Sequence, residues 1–148
     1  MRPRAAGLIY VFLLGLASMA QRPTIESLKA QAEGAQGGQQ AKLCAELAEA
    51  LVGVAAQQFE QSNSPQGLAT VSEILGYATK ARDAAVSSHS KMKETEIHLR
   101  NAQRKLEDLK RTLSADDRTP LDEAGKKLAQ FRQDILSEMF AAPKKEKK

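Results

Sequence analysis

The sequence predicts an all-α protein: an antiparallel helical hairpin or coiled-coil bundle, with one long central helix (about 65–113) flanked by two shorter helices (about 39–61 and 120–140). Three observations predict it. Aromatics make up 4% of the 148 residues and Trp is absent, which is poor material for a sandwich or barrel. Leu and Ala recur at three- and four-residue steps along most of the chain, the period of one helix face. Turn chemistry interrupts that pattern after residue 38 only at Ser62–Pro65 and at Ser114–Pro120. The length suits one domain.

The N-terminus reads as an address. Met1-Arg2-Pro3-Arg4 is a short basic start, Ala5–Leu16 is apolar throughout, and Ser18 and Ala20 supply small residues around a cleavage point. This is the pattern of a secretory signal over 1–20, cut between Ala20 and Gln21. The apolar run falls short of the about 20 residues that a membrane span needs, so retention as an N-terminal anchor is the alternative. After cleavage the chain is not expected to be an integral membrane protein. No cysteine stands at the cut, which argues against a bacterial lipoprotein. The expected location is secreted, or periplasmic in a Gram-negative cell.

Removal of Arg2 and Arg4 takes the basic residues from 22 to 20 against 18 acids, so the net charge falls from +4 to +2. Four of the remaining lysines are Lys144, Lys145, Lys147 and Lys148, in a tail over 141–148 that reads as disordered and solubilising. The body before the tail is nearly neutral, so no nucleic-acid partner is expected. The tail suits a weak electrostatic contact with an anionic envelope.

Residues 21–38 read as a mobile leader with a marginal helix, because Gly34, Gly37 and Gly38 each cost about 1 kcal/mol in a helix interior. The first main helix carries Leu43, Leu47, Leu51, Val54 and Phe59 on one face. The second starts at Pro65, a residue suited to a first turn. Its seam passes through Leu68, Leu75, Ala81, Ala85, Leu99, Leu106, Leu109 and Leu113 at heptad spacing. Nearly fifty residues at 1.5 Å each make roughly 70 Å of helix, about twice the width of a globule of this size. The body is therefore a rod unless the helix breaks, and Ser87-Ser88-His89-Ser90 is the weakest stretch. Thr119 as cap, Pro120, Asp122 and Glu123 start the third helix. Leu121, Leu128, Phe131, Ile135 and Met139 carry its seam.

Tight turns make consecutive helices antiparallel and set their register. The first hairpin pairs Phe59 with Leu68, Val54 with Leu75, Leu47 with Ala81, and Gly53 with Gly76, which suggests a close backbone approach at the two glycines. The second pairs Leu109 with Ala124, Leu106 with Leu128, Ala102 with Phe131 and Leu99 with Ile135, so that a bulky ring meets a small residue. A body two helices thick leaves an apolar strip uncovered. Ile74, Tyr77, Val86, Ile97 and Phe140 lie off the seam and are the candidate partner surface. A protein partner or a second copy of the chain is expected there.

Motifs that carry chemistry are missing. There is no HExxH, CxxC, haem attachment site, nucleophile elbow or phosphate loop. His89 and His98 are two and a half turns apart and face different ways. Glu94 and His98 stand at i,i+4, a spacing more typical of a surface contact than of a metal site. Cys44, on the apolar face of the first helix, reads as a buried thiol. No cofactor, metal or catalytic residue is expected. The sequence points to a secreted structural or adaptor protein that binds other proteins. A periplasmic holdase-type chaperone is the alternative, and a metal carrier or enzyme a weaker one.

Overall fold

The computed structural model of the chain describes residues 23–141. The expected signal over 1–20, its cleavage point between Ala20 and Gln21, and the lysines of the tail lie outside the described residues. Within them the protein is all-helical, with five α-helices and no strand. None of these helices is long and apolar enough to cross a membrane.

Helix α1 (Ile25–Gly34) is capped by Thr24, whose Oγ1 accepts a hydrogen bond from the Ser27 N–H at 3.2 Å. It buries Leu28 and Ala32 and packs on α2. The segment expected as a leader is thus, from Ile25 on, a docked helix. Its glycines mark a corner: Gly34 ends α1, and Gly37, at φ +57°, starts α2.

Helix α2 (Gly37–Glu60) and α3 (Ser64–Ser88) form the first hairpin. Asn63 caps α3 by accepting from the Gln66 N–H, with Pro65 in the first turn. At the turn the Phe59 ring lies against Gly67, one residue from the expected Leu68, and Thr70 Oγ1 donates to Gln58 Oε1 at 2.6 Å. At the far end Gly37 faces Ser88.

The long central helix is broken. α3 stops at Ser88, and α4 (Met92–Lys110) starts after three linking residues. His89 (φ 49°) and Lys91 (φ 55°) are both left-handed. The serines supply the local cause: Ser88 Oγ donates to the Ala84 carbonyl at 2.6 Å and accepts from the Ser90 N–H, so the side chain competes for backbone groups at the helix end. The larger cause is burial. Each left-handed non-glycine residue costs about 1–2 kcal/mol. A continuous helix, however, would hold α4 and α5 away from α2 and α3, and exposing a single Ile or Leu costs about 1.5–3 kcal/mol.

α5 (Ala115–Met139) begins five residues before Pro120, earlier than the expected start at Thr119. Asp116 and Asp117 lie in its first turn, where the helix dipole favours them. Pro120 falls in the second turn, where a missing N–H leaves only one carbonyl, that of Asp116, without its helical donor. Ser64 Oγ donates to Asp117 Oδ2 at 2.8 Å, tying this extended start to α3.

The body is a four-helix bundle built of two antiparallel hairpins. Arg132 on α5 reaches back to Glu96 on α4, and Asp122 pairs with Lys110. Between hairpins the neighbours run parallel. Glu49 on α2 contacts His98 and Lys105 on α4, while Ser64, Arg82 and His89 meet Asp117, Asp134 and Glu138 in the same order. α3 and α4 touch little, and the backbones of α2 and α5 lie on the diagonal and do not approach each other closely. The core holds Leu47, Ile74, Leu99, Leu106, Leu121, Leu128 and Ile135, each fully buried.

Candidate binding surface

The seam residues fall into two groups. Leu47, Ala81, Leu99, Leu106, Leu109, Leu128 and Ile135 are buried. Val54, Leu75 and Phe131 are half-buried and pack against that core from outside. Phe131 carries the Arg82 guanidinium over its ring at 4.8 Å from the centroid.

The glycine expectation is corrected. Gly53 and Gly76 are exposed, and a Cβ on either would meet nothing within 4 Å. They share a level of the hairpin but point outward, because the buried face of each helix is set by its alanines. The close approaches occur at other glycines. A Cβ on Gly67 would sit 2.7 Å from the Phe59 ring, and one on Gly38 would sit 2.9 Å from the backbone carbonyl carbon of Ser90. Both lie beside the chain reversals, the only sequence signal that could have marked them.

The outer strip is corrected as well. Ile74 is fully buried, and Tyr77 and Val86 are half-buried. The expected strip belongs to a body two helices thick; folding at His89–Lys91 turns that side of α3 inward against the second hairpin. Of the five, Ile97 at 37% and Phe140 at 80% stay exposed, and they are the only large hydrophobics to do so among the described residues.

Two polar clusters join helices, and neither is expected from the sequence as an interhelical contact. Glu96, with a side chain 7% exposed, accepts from Arg100 Nη2 at 2.6 Å and from Arg132 Nε at 2.9 Å. Arg132 also donates to Gln103 Oε1 at 2.8 Å. Burial pushes the Glu96 carboxyl up, but the hydrogen bonds and charges of Arg100 and Arg132 outweigh it and hold the group below the usual carboxylate range. The i,i+4 spacing of Glu96 and Arg100 was readable; that Arg132 would close over them needed the register of α5.

The second cluster is Glu49 with His98 Nδ1 at 2.7 Å and Lys105 Nζ at 2.8 Å. Here too burial raises the carboxyl, while the bonds from Lys105 and His98 bring it below its ordinary value. His98 thus pairs with α2, and Glu94, its expected partner, lies 3.4 Å from Lys91 instead. A carboxylate can orient an imidazole for proton transfer. Among the described residues no hydroxyl or thiol nucleophile lines the cavity of about 360 Å³ that this pair shares with Pro23, Leu28, Glu46, Ala50 and Lys105.

A second open cavity, of about 380 Å³, continues along the same α2–α4 groove past Lys105. Val52, Gly53, Ala56 and Leu109 line it with Glu60, Asp108 and Thr112. The outward Gly53 gives this groove its depth, since no side chain fills the space above it. The two cavities meet at Lys105 and share apolar patches and charged edges, the first bounded also by Leu28 of α1.

Cys44 is buried, and burial pushes its thiol up. Among the described residues no three His, Cys, Asp or Glu side chains gather to hold a metal ion. No family model, curated protein or solved structure matches the chain.

Proposed function

We propose that this chain is a secreted, periplasmic-type helical protein that acts by binding another protein, as an adaptor or structural element. The α2–α4 groove carries the reading. Its lining pairs Val52, Ala56 and Leu109 with Glu60, Lys105 and Asp108, the mix of apolar centre and charged rim that protein interfaces use. A second copy of the chain is the simplest partner. The ionisable groups held away from their ordinary values, Glu49 and Glu96 above all, are engaged by bases of neighbouring helices, which suits a structural role for them.

The test compares native protein with Ala56→Arg, which plugs the groove at a half-buried site. Light scattering and cross-linked capture from the envelope fraction are expected to lose the partner or the dimer in the variant while helicity is kept. Equal capture by both proteins, or a monomer with no partner, overturns the reading. Secretion is tested by mass spectrometry of the envelope fraction: a chain starting at Gln21 is expected, and an intact Met1 start in the cytosol would exclude it.

The holdase alternative draws on the exposed Ile97 and Phe140. Two side chains make a small surface for unfolded clients, so it ranks second. Suppression of client aggregation at stoichiometric amounts would reverse that order.

A further inference from the structure

Phe140 follows the last turn of α5 as its C-terminal cap and is 80% exposed, the most exposed large hydrophobic among the described residues. The chain that follows it is Ala141-Ala142-Pro143-Lys144-Lys145-Glu146-Lys147-Lys148. The antiparallel packing of α4 and α5 brings the start of α4 to the same end of the bundle, with exposed Lys91 and Lys93. The acids there are already partnered in part: Glu94 lies 3.4 Å from Lys91, and Glu138 lies 3.3 Å from His89.

From these observations we propose that this end of the bundle docks on an anionic lipid bilayer, with Phe140 entering the interface and the lysines of 144–148 held at the headgroups. The pairing of features selects a bilayer over other polyanions. A soluble polyanion or an anionic wall polymer satisfies the lysines and leaves the phenyl ring in water. A bilayer satisfies both, because its headgroups attract juxtaposed lysines and its acyl boundary accepts an apolar wedge. The adjacent exposed Lys93 widens the basic contact, while Lys91 offsets Glu94. The docking is independent of the α2–α4 groove, which lies along the side of the bundle, so a protein partner and a membrane surface can be engaged together.

Sedimentation with phosphatidylglycerol-rich vesicles tests this on the full chain. All variants share one N-terminus, so any contribution of residues 1–20 cancels. Phe140→Ser is expected to weaken binding about tenfold, the worth of one buried phenyl group. Replacing the four tail lysines with Gln is expected to weaken it on the order of a hundredfold at low salt. Phosphatidylcholine vesicles should bind neither native protein nor variant measurably. Phe140 is exposed, so its variant is expected to keep the fold, which circular dichroism checks. Binding that depends on the lysines but not on Phe140 would show polyanion adsorption only and overturn the proposal. So would equal binding to neutral vesicles, or no binding at all.

Discussion

The two hairpins solve the same packing problem by different chemistry. Between α2 and α3 the fully buried residues are chiefly small: Ala45, Ala48 and Ala55 on one helix, Ala78, Ala81 and Ala85 on the other. Among the described residues no ion pair joins those helices, and one neutral side-chain bond, Thr70 to Gln58, does. Between α4 and α5 larger side chains fill the core, and Glu96–Arg132 and Lys110–Asp122 cross outside it. The first seam depends on shape, so it should resist acid and salt but not added volume. The second depends partly on charge, so it should respond to both.

The largest expected effect comes from the charged seam. Glu96→Gln keeps the volume and removes the charge that two arginines face. The expected loss is about 3 kcal/mol, at the low end for one partner of a buried pair because Arg100 is half in water. Urea unfolding checks it, and Arg132→Met in the Glu96→Gln background should cost much less than in native protein. Additive losses would mean that the pair is not coupled and that the contrast between the seams is wrong.

Next comes the neutral seam. Ala81→Leu forces three extra carbons into a site with no exposure, for an expected cost of about 2 kcal/mol. The cost should be the same in 1 M salt as in dilute buffer, whereas that of Glu96→Gln should shrink as salt screens the partly exposed arginine.

Acid should separate the two seams within one molecule. Glu96 and Glu49 are held below their ordinary values, so each stabilises the fold in full above the unfolded pKa, and that stability is lost as pH falls through the folded value. Below about pH 4.5 the α4–α5 and α2–α4 contacts weaken, while Thr70–Gln58 and the alanine seam do not titrate. Hydrogen exchange across this range should show α4 and α5 opening before α2 and α3. If α3 opens first, charge is not what distinguishes the hairpins.

Helix content was legible because it rests on local periodicity and turn residues: Asn63-Ser64-Pro65 marks the first hairpin turn in sequence and structure alike. The break at His89–Lys91 was legible only as a weak stretch. It has no glycine or proline, and its decisive cause is the burial of Ile74 and its neighbours, which depends on helices distant in sequence. Glu96 was hidden for the same reason. An acid among lysines and arginines reads as a solvated face until Arg132, 36 residues later, covers it. Phe140 and Ile97 lie off the heptad seam and are exposed; Ile74 lies off it too but is buried, because a seam read along one continuous rod misses the face that the second hairpin covers.

The glycines give the smallest effect and the sharpest sign. Gly53→Ala and Gly76→Ala add a methyl where nothing lies within 4 Å, in the interiors of α2 and α3. Each should stabilise by about 0.5–1 kcal/mol through reduced freedom of the unfolded chain. Gly67→Ala must displace the Phe59 ring, 2.7 Å from the new carbon, and should cancel or reverse that gain. Gly38→Ala meets the backbone of Ser90, which cannot swing aside as a side chain can, and should destabilise. Thermal melts of the four variants then test where the hairpin is close. Loss of stability at Gly53 and Gly76 would restore a close approach at their level and remove the open space that deepens the α2–α4 groove.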